Sequence, residues 1–222
     1  MAKYLIHAIP KRMWYVNNYL IPSMLKQDID KNDIFVYNDI NRLGNLKACM
    51  QAFKSTVYDD SGTWHLQDDV LISRNFKEIT EKYDDGIVCG FCSIYDKNHL
   101  PGKVSLKEMW FSFPCIRIPN KIANDCADWV LNKIIGNPIY KDFWKDGNND
   151  DWAFRSYLEN FYKRITAINL NPNIVEHIDY LIGGTSSGIE RDKKAVARFW
   201  QDRDLVIELK NKLEDSNALR RR

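Results

Sequence analysis

Hydrophobic and polar positions along the first part of the chain switch repeatedly between a period of two and a helical period. Residues 3–9, KYLIHAI, are a short apolar run stopped by Pro10 and predict a first strand. Met13, Val16, Leu20, Met24 and Leu25 then recur close to helical spacing over 12–27, with a kink expected at Pro22. Residues 33–37, DIFVY, predict a second strand, 45–53 a compact helix, and 64–72, WHLQDDVLI, a third strand. Ser73 is positioned to cap a helix running to Tyr83, Asp84-Asp85-Gly86 makes a turn, and 87–95 predict a fourth strand. Alternation of strand and helix implies an α/β fold with a mostly parallel central sheet flanked by helices. Ligands in such sheets bind beyond the carboxyl ends of the strands, which directs attention to 9–12, 38–45 and 68–69.

The second half is less regular. Aromatic-rich strands are expected within 103–118, and a helix over 119–134 with Ile122, Cys126, Trp129, Val130 and Ile134 inward. A second helix follows the polar stretch KDGNNDD, with Trp152, Tyr157, Leu158 and Phe161 inward. A strand is expected over 165–170 and a charged surface helix over 191–213. No internal repeat or low-complexity linker interrupts the 222 residues, so the expectation is one domain: a ligand-binding half (1–95), a second half completing the site (96–190) and a C-terminal tail.

Composition narrows the function classes. Apolar residues at 45% and aromatics at 13% place the chain among folded proteins. A net charge of +2 from 32 basic and 30 acidic residues excludes a global attraction to nucleic acid or membrane. Arg220-Arg221-Arg222 reads as a solvated tail. Five cysteines sit among apolar neighbours; Cys89-Gly90-Phe91-Cys92 has CxxC spacing, but a strand-like setting and the lack of a second pair favour buried thiols. With no signal-like N-terminus and no apolar run near 20 residues, the expected setting is soluble and cytoplasmic.

WHLQDDVLI poses an energetic problem. Successive side chains on a strand point to opposite faces, so Asp68 and Asp69 are expected on opposite sides of a buried element. An unpaired carboxylate in that setting costs several kcal/mol.

Taken in order, HAIPKRMWYV, NRLGNLKACMQAF, WHLQDDVLISRNF, NNDDWAFRSYL and NPNIVEHIDYLIGGTSSG resemble glycosyltransferases of the GT-A fold, in particular small ones encoded by bacteriophages. The resemblance implies transfer of a sugar from a nucleotide-sugar donor to a hydroxyl acceptor. It also implies a divalent cation on an acidic motif at a strand end, here Gln67-Asp68-Asp69, which departs from DxD at its first position. On that reading Asp69 ligates the metal and His177 completes the site. An imidazole beside a carboxylate favours Mn²⁺ over Mg²⁺. Asp68 would serve the donor's ribose or a nearby basic group. His7, Pro10, Arg12, Asn41, Gly44 and Asn45 would meet the donor, and one of Asp150 and Asp151 would be the base. Helix capping is the competing role for that pair, and if configuration is retained no base is needed. The acceptor expectation includes a hydroxymethylated base in phage DNA, approached through Lys97, Lys103, Lys107, Arg117 and Lys121. Trp110, Phe111, Phe113, Trp144 and Trp152 would provide a stacking platform. The alternatives are a glycan or small acceptor, or a nucleotide-binding module without activity.

Overall fold

The computed structural model describes residues 2–91, 102–105, 113–140, 150–170 and 173–182, with 207, 211 and 212. Cys92, the fourth strand beyond Phe91, Lys97, His99, Lys107, Trp110, Phe111, Trp144, Arg220–Arg222 and most of the expected 191–213 helix lie outside the described residues.

The strands in chain order are β1 (Lys3–Ala8), β2 (Ile34–Asn38), β3 (Gly62–Gln67), β4 (Val70–Ile72), β5 (Ile87–Cys89), β6 (Gly102–Ser105), β7 (Cys115–Pro119), β8 (Thr166–Asn169) and β9 (Val175–His177). Seven of them form the main sheet in the order β2-β1-β3-β7-β5-β8-β6. β1 pairs parallel with β2 and β3, and β5 parallel with β8. β7 runs antiparallel between β3 and β5, and β6 antiparallel beside β8, so the sheet is mixed, with five of its strands pointing one way. The α/β class expected from the sequence is the architecture observed. No helix among the described residues is long and apolar enough to cross a membrane.

Period-two alternation distributes the core over both sheet faces. Tyr4, Ile6 and Ala8 of β1, Trp64 and Leu66 of β3, Val88 and Cys115 pack on one face against Tyr15, Val16, Leu20 and Met24. Ile87, Cys89, Ile116 and Ile118 pack on the other, against helices Asn45–Lys54, Asn120–Trp129 and Asp150–Phe161. Cys49, Cys89, Cys115 and Cys126 are all buried.

Pro22 leaves a visible mark on the first helical segment. It lacks an N–H and crowds the preceding turn, and the chain widens into a π turn over Val16–Leu20, with Ile21 N–H reaching the Val16 carbonyl. Other expectations fail for identifiable reasons. Ser73 caps nothing: the helix is short (Phe76–Thr80), and Gln27 bridges its entrance instead, accepting from Lys77 N–H at 3.2 Å and donating to the Ser73 carbonyl at 2.7 Å. Trp152 and Phe161 are 46% and 57% exposed rather than inward, because Ala153, Phe154, Tyr157 and Leu158 form the buried stripe of their helix.

WHLQDDVLI is not one strand. β3 ends at Gln67, Asp68 and Asp69 form a turn, and β4 leaves to pair antiparallel with β9 in a separate two-stranded sheet. Parity along a strand therefore does not apply to the acid pair.

Arg117, expected on a basic surface, is buried in β7, where it donates to the carbonyls of Gly86 and Asp84. A Cβ at Gly62 would overlap its guanidinium. Gly62→Ala is therefore expected to destabilise the protein by about 1–3 kcal/mol through overpacking. The expected readout is a lower urea midpoint at an unchanged m-value; an unchanged midpoint would show that the guanidinium relocates freely.

Candidate active site

A cavity of about 300 Å³ opens at the carboxyl ends of β1, β2 and β3, where the strand-end rule places ligands. Among the described residues, its walls carry six aspartates (Asp39, Asp68, Asp69, Asp150, Asp151 and Asp179) and one arginine, Arg12.

The Asp68-Asp69 turn directs both carboxylates toward the same cation. Arg12 Nη1 donates to Asp68 Oδ1 at 2.7 Å and to Asp69 Oδ2 at 2.6 Å. All three side chains are buried. The arginine reaches them because β1 ends at Ala8 and Pro10 starts a tight helical turn over Pro10–Arg12. The remaining oxygen of Asp68, Oδ2, accepts from Ile9 N–H at 2.8 Å. Burial lowers the Arg12 pKa, but Asp69 and Asp68 more than reverse that, and the net shift is upward. Burial first, and the Asp69 charge second, push the Asp68 carboxyl up to about 6 against the pull of Arg12.

Oδ1 of Asp69 faces elsewhere. The β4–β9 pairing sets His177 opposite Val70, and Ile178 N–H donates to the Asp69 carbonyl at 2.8 Å. His177 Nε2 consequently lies 3.0 Å from Asp69 Oδ1. Asp179 Oδ1 stands 4.0 Å from the other ring nitrogen, Nδ1. A carboxylate oxygen and an imidazole nitrogen 3.0 Å apart match two adjacent ligands of an octahedral divalent ion with bonds of about 2.1 Å. The pair fits a cation in spacing and in donor chemistry. Among the described residues no group of three or more His, Cys, Asp or Glu is gathered as a metal cluster. A cation held here would take its remaining ligands from a bound molecule and water.

Asp150 and Asp151 enter the same cavity at the start of helix Asp150–Phe161. Asn45, the first residue of helix Asn45–Lys54, donates its side-chain Nδ2–H to Asp150 Oδ1 at 2.9 Å. Gly44 precedes it with φ +84°, a conformation other residues rarely adopt. Asp151 accepts from Trp152 N–H at 2.8 Å. Burial, reinforced by Asp151, pushes the Asp150 carboxyl up to about 7; burial also raises that of Asp151.

His7 contributes a neutral imidazole. Its Nε2 is 2.9 Å from His65 Nδ1, and both rings meet Phe53 edge-on. Burial lowers the His7 pKa to about 4 and takes His65 well below the usual range, with His7 adding to the effect on His65.

Of the residues expected at the site, His7, Arg12, Gly44, Asn45, Asp68, Asp69, Asp150, Asp151 and His177 line this cavity. Pro10 and Asn41 are exposed and do not. Two further acidic residues line the cavity, Asp39 from within the stretch 38–45 that the strand-end rule singled out and Asp179 from outside any expected stretch. Asp39 closes β2, its N–H donating to the Ala8 carbonyl at 2.8 Å and its Oδ1 accepting from Leu43 N–H at 3.0 Å. Asp179 follows His177 by two residues and is buried. Position at a strand end was the available signal for Asp39; nothing local marked Asp179.

No protein-family model matches the chain, and no curated protein sequence matches it. Solved structures with a similar chain path include two from Drosophila and Yersinia pseudotuberculosis. One is a Drosophila beta-1,4-galactosyltransferase 7 variant complexed with manganese, UDP-Gal and xylobiose: TM-score 0.45, 11% identity, 89% of this chain and 80% of that one. The other is HddC from Yersinia pseudotuberculosis: TM-score 0.37, 12% identity, 77% of this chain and 90% of that one. Similarity at this level concerns the course of the backbone, and the chemistry of the cavity is read from its own side chains.

The raised pKa of Asp150 makes stability depend on pH with a definite sign. Its folded value of about 7 exceeds the ordinary 3.8, so the folded protein holds this proton more tightly than the unfolded chain. The resulting stability is fully present below pH 4 and is lost as the pH rises through 7. A tenfold difference in proton affinity is worth about 1.4 kcal/mol, so a few kcal/mol are involved. Asp150→Asn is expected to flatten the fall of unfolding free energy between pH 4 and 7 and to exceed wild type in stability at pH 8. Parallel curves for the two proteins would show that Asp150 ionises like a surface acid.

Proposed function

We propose that the chain is a metal-dependent glycosyltransferase of the GT-A type that moves a sugar from a nucleotide-sugar donor to a hydroxyl acceptor. The observation that carries this reading is the facing pair Asp69 Oδ1 and His177 Nε2, 3.0 Å apart, in one cavity with the buried carboxyl of Asp150. Asp69 and His177 would hold a divalent cation, Mn²⁺ before Mg²⁺, which would supply Lewis-acid neutralisation of charge on the donor diphosphate.

The chain's own groups divide the remaining work. Asp68 has one oxygen on Ile9 N–H and the other on Arg12, so it fixes the first loop and the guanidinium rather than ligating metal. Arg12, the one cation lining the cavity among the described residues, orients the donor's oxygens. Gly44 leaves space for a close approach of ligand to backbone, since nothing lies within 4 Å of where its Cβ would be.

Asp150 is the base for a direct displacement. It takes the proton of the acceptor hydroxyl as that oxygen forms a bond to the anomeric carbon. The bond from that carbon to the diphosphate oxygen breaks, and the nucleoside diphosphate leaves with the electron pair. A carboxyl poised near 7 suits that task at neutral pH.

A carbohydrate or other small hydroxyl acceptor is favoured over DNA. Arg117 is engaged inside the fold, and six aspartates around the cavity oppose a phosphate backbone. Trp152, half exposed and next to Asp151, offers an aromatic face to a sugar ring.

Incubation with a panel of UDP-, GDP- and dTDP-sugars and Mn²⁺ is expected to release nucleoside diphosphate slowly in the absence of acceptor. Asp69→Ala should abolish release, and Asp150→Asn should lower transfer to an added acceptor by about a hundredfold or more. If no donor is bound or hydrolysed, the transferase reading is wrong. If hydroxymethylated DNA accepts sugar and oligosaccharides do not, the acceptor assignment is wrong.

A further inference from the structure

The contact between Asn45 and Asp150 joins the first residues of two helices that approach the cavity from far apart in sequence. The family resemblance places Asn45 against the donor; its side chain is committed instead to the buried acid. We propose that Asn45 is a positioning residue for Asp150: its Nδ2–H holds Oδ1 and fixes how the carboxylate is presented to the acceptor hydroxyl. This inference rests on the reading of Asp150 as the base.

Three observations support a positioning role over a tie between helices. Both residues line the cavity, so the contact lies at the site and not in the core behind it. An ionised carboxylate only accepts hydrogen bonds, and an amide N–H favours that ionised form. The Asn45 contact thus works against the burial that raises the carboxyl's pKa. The approach to Asn45 is also fixed: Gly44 takes φ +84°, and Asp39 holds the loop by accepting from Leu43 N–H. A carboxylate held by the Asn45 amide as well as by the N–H groups at the start of its own helix presents a defined orientation to the acceptor, which is the condition for an in-line displacement.

Among the described residues, the titratable groups that act on Asp150 are few. Asp151 stands on its own helix, and Cys49 faces it from helix Asn45–Lys54. Cys126 of helix Asn120–Trp129 lies next to Cys49. Burial raises both thiols well above the usual range, so they stay protonated across neutral pH. Burial and Asp151 therefore raise the Asp150 carboxyl, while the N–H groups of Asp150 and Asp151 and the Asn45 amide pull it down.

The test compares wild type with Asn45→Ala and Asn45→Ser, the serine restoring a donor if the alanine variant folds poorly. Asp150 protonation is followed by ¹³C NMR of carboxyl-labelled aspartate, its signal assigned by difference with Asp150→Asn. The pH profile of kcat/KM is measured with the donor that wild type uses best, and UDP affinity by calorimetry. In Asn45→Ala the carboxyl titration and the acidic limb of kcat/KM are expected to move up together by about one pH unit, with UDP affinity within about twofold. Asn45→Ser should return part of that movement. An unmoved carboxyl titration overturns the proposal whatever the activity does. A displaced titration with an unmoved acidic limb overturns it differently, by showing that Asp150 is not the base while the transferase reading stands. Loss of UDP affinity by tenfold or more with no change in the pH profile would make Asn45 a nucleotide contact, against the proposal. If wild type turns over no donor, the transferase reading fails first, and Asn45 is then a tie between helices.

Discussion

The site end of this fold depends on one buried cation between two buried anions. Arg12 holds Asp68 and Asp69 through a single nitrogen, and Asp68 in turn receives Ile9 N–H. These contacts weld the loop leaving β1 to the turn leaving β3, which directs β4 away from the main sheet. β4 then recruits β9, and β9 delivers His177. Removing the arginine would leave two carboxylates in low dielectric, a loss of several kcal/mol, and would release the loop at the same time.

How much of this was legible in the sequence differs element by element. β1, β2 and helix Asn45–Lys54 were readable because each is a local pattern bounded by Pro10, Asn38 or Gly44. The split in WHLQDDVLI was not. Its turn contains neither glycine nor proline, and apolar residues resume at once in Val70, so a period of two runs straight across it. What breaks the strand is tertiary: the aspartates turn toward Arg12, and Val70–Ile72 finds a partner in Val175–His177. The inward stripe of helix Asp150–Phe161 was misjudged in the same way. Size suggested Trp152 and Phe161, but the sheet face accommodates Ala153 and Phe154.

The division of labour between Asp68 and Asp69 has a physical basis other than strand parity, which would have separated them by face. In the structure they share a face and are separated by partners: both oxygens of Asp68 are engaged by Ile9 and Arg12, while Asp69 divides its two between Arg12 and His177. His177 was visible as a histidine in a late loop, but its companion Asp179 becomes significant only once β9 is paired.

Stability alone does not account for this arrangement. A buried ion cluster is often replaceable by apolar side chains of equal volume with no loss, or with a gain of about 1–4 kcal/mol. The residues that follow the acid pair, Val70, Leu71 and Ile72, are all buried, so an apolar turn would continue an apolar element. The acids must therefore be valued for something an apolar turn cannot do. Among the described residues, one cation among six lining aspartates leaves the cavity with an excess of negative charge, relieved in part by the proton that burial holds on Asp150 up to a pH of about 7. A diphosphate entering alone would add to that excess, whereas one arriving with a divalent cation would reduce it. On the proposed reading, the electrostatics that make the cavity's own charge costly would favour a metal-bound anionic ligand over a bare one.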